Sequence, residues 1–151
     1  MLAKPMAAMA MLGLVAGLAV ARPALADPLI DGLKALPGNV EDVRIGGSWD
    51  REGKSGVYRI LIARSGGDLV TARLFVQWIA YDDNGGSVVR DTIEIQELAA
   101  LNVDISDFTS DSDSSTLKVM IQTRDPNGNA DKTYVLTVTS PTHHTFAPAS
   151  N

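Results

Sequence analysis

Cysteine is missing from this 151-residue chain. With it go disulfide bridges, thiolate nucleophiles and thioether-linked lipid. Histidine is scarce: the two present are the adjacent pair His143 and His144. Neighbours in an extended segment point to opposite sides, and zinc sites draw three or four ligands from a rigid frame, so the pair is a poor chelator. Positive charge is also short, with 13 basic against 18 acidic side chains and a net charge of −5. Nucleic acid and anionic lipid need the reverse balance, which disfavours both as partners. Catalytic signatures are lacking too. There is no Gly-x-Ser-x-Gly elbow, no Gly-x-Gly-x-x-Gly turn and no phosphate loop. A Ser–His–Asp set would have to recruit its base from the terminal pair of histidines. Asp91 and Glu94 fall on opposite faces of one predicted strand. The chain is expected not to be an enzyme.

What is present begins with a leader. Lys4 precedes an uncharged apolar run from Met6 to Ala21, then Arg22-Pro23 and the small-residue site Ala24-Leu25-Ala26. This is the layout of a secretory signal peptide over residues 1–26, cleaved before Asp27. The run of 16 residues is short against the roughly 20 that a hydrocarbon core requires. No stable membrane insertion is expected after cleavage, and the location expected is periplasmic or secreted. Without Lys4 and Arg22 the remainder carries 11 basic and 18 acidic side chains, a net charge of −7. That length suits one domain with a real core.

Residues 27–39 read as a short helix and linker. Asp27-Pro28 is an N-cap followed by proline at the first helical position, Leu29, Ile30, Leu33 and Leu36 follow at helical spacing, and Pro37-Gly38 stops the run. From Val40 the pattern changes to alternation. The run Leu69 to Tyr81 organises the rest: Val70, Ala72, Leu74, Val76, Trp78 and Ala80 are apolar without a break, the two-residue period of a strand face. The other face, from Thr71 to Tyr81, is mixed, as in a central strand whose second side is partly covered. Before it, Val43, Ile45, Gly47 and Trp49 are expected to alternate inward, with a bulge at Gly46-Gly47. Tyr58, Ile60 and Ile62 line the next strand. After it, Asn84-Gly85 predicts a hairpin turn with both residues at positive φ, into a strand from Val88 to Leu98 with Val89, Ile93 and Ile95 inward. A short edge strand over Leu101, Val103 and Ile105, an acidic loop Thr109–Ser115, and strands on Leu117, Val119, Ile121 and on Tyr134, Leu136, Val138 complete the pass.

The fold class expected is all-β: a single antiparallel β-sandwich of about seven strands over residues 40–140, with a flexible tail over 141–151. Trp78 on the third strand is similar to the tryptophan of immunoglobulin-like domains, but the companion cysteines are missing. A meander start closed by a crossing strand, or an open barrel, fits the short links better.

Two sets of candidate site residues stand out. Asp125, Asn127, Asn129 and Asp131 place oxygen-bearing side chains at alternate positions of a turn-rich loop, the way compact loops supply calcium. The same residues are also common in hairpin loops for their turn geometry. Asp82, Asp83, Asp111 and Asp113 would add carboxylates if their loops gather at the same end. Secondly, Arg73, Phe75, Ile79 and Tyr81 share the outer parity of the Leu69–Tyr81 strand and could dock a protein or stack a sugar, although cover by the second sheet or the N-terminal helix is the favoured expectation, because large apolar patches are seldom left exposed on monomers. The function expected is an exported interaction domain that binds another envelope protein through this face or an open sheet edge. The alternative is a small-ligand module, for carbohydrate or calcium, using loops at one end. No cofactor is expected beyond that calcium, and composition leaves the oligomeric state open.

Overall fold

A computed structural model describes residues 27–150. The expected leader over residues 1–26 lies outside the described residues. Helix α1 (Pro28–Lys34) belongs to a unit that ends at Lys34. Its start is the predicted cap: the Asp27 carboxylate accepts the N–H of Leu29 at 2.9 Å, and the Asp27 carbonyl accepts that of Asp31 at 3.0 Å. None of the helix's residues is buried.

From residue 35 the second unit is mostly β, in two antiparallel four-stranded sheets. The first runs in chain order: β1 (Val40–Arg51), β2 (Lys54–Ser65), β3 (Thr71–Tyr81) and β4 (Ser87–Glu94). The second does the same: β5 (Asp104–Ser112), β6 (Leu117–Arg124), β7 (Lys132–Ser140) and β8 (His143–Pro148). Both are plain meanders, so the crossing strand expected to close the topology is not among the described residues. Helix α2 (Gln96–Ala100) lies on the link between the sheets. The inner faces share one core. Tyr58, Ile60, Ile62, Leu74, Val76 and Trp78 of the first sheet cluster with Leu117, Val119, Ile121, Leu136 and Val138 of the second.

β3 is paired along both flanks, and its even positions from Ala72 to Ala80 are all buried, as the alternation predicts, while Val70 falls before the strand and is exposed. Elsewhere several expectations are corrected. Val43 and Ile45 are exposed while Trp49 is buried. The bulge between Ile45 and Gly47 adds a residue and reverses parity, so the positions before it face outward. Val89 is likewise exposed, because a second bulge between Trp78 and Ile79 leaves Arg90 unpaired on β4. The strand expected to reach Leu98 ends at Glu94. Ile95 and Leu98, both fully buried, have the three-residue spacing of a helix face, and Asn102 at φ 53° ends that helix in the left-handed conformation. A further correction is β5. The expected edge strand at Leu101–Ile105 is an edge strand but begins only at Asp104 and runs on to Ser112, so it takes up the first part of the expected acidic loop, with Asp111 opposite Lys118, and leaves 113–116 as the turn. Finally, the tail expected to be flexible from residue 141 contains β8, which pairs with β7 and stacks Phe146 on Tyr134 with ring centroids 4.9 Å apart.

β1 and β5 bring the two sheets together at one side. The Ser112 hydroxyl accepts the Ser48 N–H at 3.0 Å and donates to the Ser48 carbonyl at 3.1 Å, so one side chain stands in for a ladder rung. A side chain on Gly47 would collide with that hydroxyl. Arg64 ties the other end of the same seam, donating to Asp104 at 2.9 Å and to the Ile105 carbonyl at 2.7 Å.

Candidate functional site

The meander connectivity decides which loops share an end. The β1–β2 turn at Glu52-Gly53, the β3–β4 loop at 82–86, the β5–β6 loop at 113–116 and the β7–β8 turn at 141–142 lie at one end. The β6–β7 loop at 125–131 lies at the other. Asp82, Asp83, Asp111 and Asp113 are therefore not brought to Asp125, and the acidic clustering considered above does not occur.

In the 125–131 loop the Asp125 carboxylate is occupied by its own neighbours. It accepts the Asn127 N–H at 2.8 Å, the Asn127 amide at 3.2 Å and the Asn129 amide at 2.8 Å. These donors, the Asn129 amide first, hold the Asp125 carboxyl below its ordinary range. Gly128, at φ 81°, closes the turn by donating to the Asp125 carbonyl at 3.1 Å. Asp131 makes no hydrogen bond with this set. Among the described residues no group of three or more His, Cys, Asp or Glu side chains converges as a metal site. The geometry is that of an Asx-type turn built from Asp125, Asn127 and Asn129.

Arg73, Phe75, Ile79 and Tyr81 do share the outer face of the first sheet, and the register fills in the rest. One apolar cross-strand row is Val43, Leu61, Phe75, and a second is Val57, Ile79, Val89. Between them runs a polar ladder: Arg59 donates to Gln77 at 2.8 Å, and Gln77 to Thr92 at 3.1 Å. Arg73 grips Glu94 with two bonds of 2.6 and 2.7 Å and sits 5.1 Å over the Phe75 ring. Arg73 in turn holds the Glu94 carboxyl below its usual range. Ile79 is 7% exposed, whereas Tyr81 is 55% and Val89 50% exposed. The predicted residues are thus part of a mixed face, two apolar rows divided by a polar ladder.

A third feature lies outside both sets of sequence candidates. At the end that carries the β1–β2 turn, a cleft of about 170 Å³ opens between Trp49, Tyr58 and Trp78, with Arg51, Lys54, Arg90 and Asp91 around it. Trp49 donates its indole N–H to the Val57 carbonyl at 3.2 Å, and Tyr58 meets Trp78 edge-on with centroids 5.7 Å apart. Gly56 makes room for the Trp49 ring, since a Cβ there would stand 2.9 Å from the indole. Burial raises the Tyr58 hydroxyl above its normal range. Arg51 donates to the carbonyls of Ser115 and Thr139 and so fastens the second sheet across the cleft. The two-residue turn that aims Arg51 and Lys54 has Glu52 and Gly53 at φ 55° and 71°, the twist that suits a tight hairpin. Core parity hid this site, because Trp49, Tyr58 and Trp78 all read as packing. The discoverable signal was their convergence at one strand end beside Arg51 and Arg90. Comparison with protein families, curated proteins and solved structures finds no match to this chain.

Proposed function

We propose that residues 40–148 form an exported, non-catalytic β-sandwich that serves the cell envelope as a protein-interaction module, docking its partner on the outer face of the first sheet. A core shared by the inner faces of both sheets supports the sandwich reading. Export rests on the signal-peptide layout of residues 1–26. No helix among the described residues is long and apolar enough to cross a membrane.

The observation that carries the docking reading is the pair of apolar rows on that face, Val43–Leu61–Phe75 and Val57–Ile79–Val89, with Ile45 60% exposed beside them. Protein interfaces mix apolar contact with hydrogen-bonded polar groups, here the Arg59–Gln77–Thr92 ladder between the rows and the Arg73–Glu94 pair beside them. The face is a better candidate than an edge. The β4 edge is broken by the bulge at Arg90, and β8 is a six-residue strand that ends in Pro148. The test is site-specific photocrosslinking in the intact envelope. A crosslinker at Ile45 or Val89 should yield one discrete protein adduct, which Phe75→Ser with Tyr81→Ser removes while the circular dichroism spectrum is unchanged. Equal adducts from Met120, on the exposed side of the second sheet, would overturn the assignment.

A further inference from the structure

We infer that the Trp49–Tyr58–Trp78 cleft is a second binding site, independent of the docking face, for a small apolar ring that carries an anionic group. The walls set the apolar part. Two indoles and a phenol, joined by Pro141, line a half-open cleft of about 170 Å³. That holds one ring rather than a multi-ring ligand, because drug-sized pockets run from about 300 Å³ upward. The indoles are 9% and 7% exposed, so they offer ring edges around a slot and no flat platform of the kind a sugar stacks on.

The rim sets the charge. Arg51, Lys54 and Arg90 line the cleft against Glu52 and Asp91, a local excess of positive charge in a chain whose net charge is −5. Arg51 is committed to the Ser115 and Thr139 carbonyls. Among the described residues neither Lys54 nor Arg90 has a salt-bridge partner. Arg90 is the extra residue of the β4 bulge, and it stands beside Asp91, the register partner of Trp78. Bulges of this kind re-aim side chains and are common next to binding sites. A carboxylate seated at the mouth would accept charge-assisted bonds from Arg90 and Lys54 while its ring displaces water from the slot.

Both tryptophans of the chain line the cleft, so intrinsic fluorescence reports on this site alone. Cyclohexanecarboxylate, which does not absorb at the excitation wavelength, is the probe. It should give a saturable change in emission that weakens with added salt. Arg90→Ala should weaken it by about tenfold, the scale of one charge-assisted bond. Lys54→Ala should weaken it less, and Lys132→Ala, at the opposite end, not at all. Cyclohexylmethanol, the neutral isostere, should bind at least as weakly as the acid does to Arg90→Ala. The inference is overturned by no saturable change with the acid, by an unaltered affinity in Arg90→Ala, or by equal or tighter binding of the alcohol, of glucose or of cyclohexyltrimethylammonium. None of these readouts involves the outer face, so the docking proposal stands or falls separately.

Discussion

Adjacent residues on β3 give a direct test of which way the first sheet faces. Leu74 and Phe75 differ in size, and on side-chain area alone Phe75→Ala would be the costlier change. The structure reverses that order. Leu74 has no exposed surface, sits opposite Ile62, and its carbonyl receives the Ile95 N–H at 3.0 Å, so little around it can collapse into a void. Leu74→Ala should cost about 3–4 kcal/mol, the middle of the range for rigid buried sites. Phe75 is only partly buried, which leaves about two-thirds of the roughly 1.5–3 kcal/mol of a fully buried side chain, and its contact with Arg73 adds about 0.5 kcal/mol. Phe75→Ala should therefore cost about 1.5–2.5 kcal/mol. Urea unfolding followed by tryptophan emission measures both, with the m-value as a check that the denatured states match. In thermal melts the two mutants should differ by about 5–10 °C. Equal losses, or a larger loss for Phe75→Ala, would mean that a second layer covers the outer face, and the docking reading would fail with it.

Two further outcomes are expected. Gly56→Ala should destabilise by about 2 kcal/mol or more, because the new methyl meets both the Ile79 carbonyl and the Trp49 indole, and backbone cannot yield as a side chain can; a neutral effect in a urea titration would remove the argument that Gly56 shapes the cleft. In acid, the depressed carboxyls of Glu94, Glu97, Asp113 and Asp125 contribute stability that is fully present above their unfolded values, about 3.9 for Asp and 4.3 for Glu, and is lost as pH falls through the lower folded ones. Melting midpoints should be flat down to about pH 5 and fall below it, and Asp113→Asn with Asp125→Asn should flatten that fall; an acid limb parallel to the parent's would show that the loops add nothing.

The sequence made the strands legible wherever alternation ran unbroken. β3, β6 and β7 face as their even or odd positions predict, since burial on one side leaves a two-residue period no alternative. Alternation failed where a bulge shifted the count. Gly46-Gly47 marked the first bulge, but its consequence, Val43 and Ile45 turned outward, needed the partner strand to be known. The bulge at Arg90 had no glycine to mark it. Asn84-Gly85 misled in a different way: only Gly85 takes a positive φ, because the Asp82 carboxylate captures the N–H groups of Asn84 and Gly86 and builds a longer loop. Polar composition hid β5, whose Thr109, Ser110 and Asp111 look like loop residues until β6 supplies their partners. β8 was hidden for the same reason. Parity put Arg73, Phe75, Ile79 and Tyr81 on one side of β3, but alternation alone did not show that Ile79 is buried there. The aromatic cleft was not legible, because whether three apolar-face rings meet solid packing or an opening depends on what the second sheet puts opposite them.

The order of the strands along the chain has a consequence for synthesis. Once Glu94 has emerged, the entire first sheet can zip together hairpin by hairpin from neighbours alone, yet its oily side has nothing to lie against until the other half of the polypeptide follows. A product truncated at the α2 link would be a finished but uncovered wall, ready to clump, and this asymmetry puts the burden of quality control on the second half of the molecule.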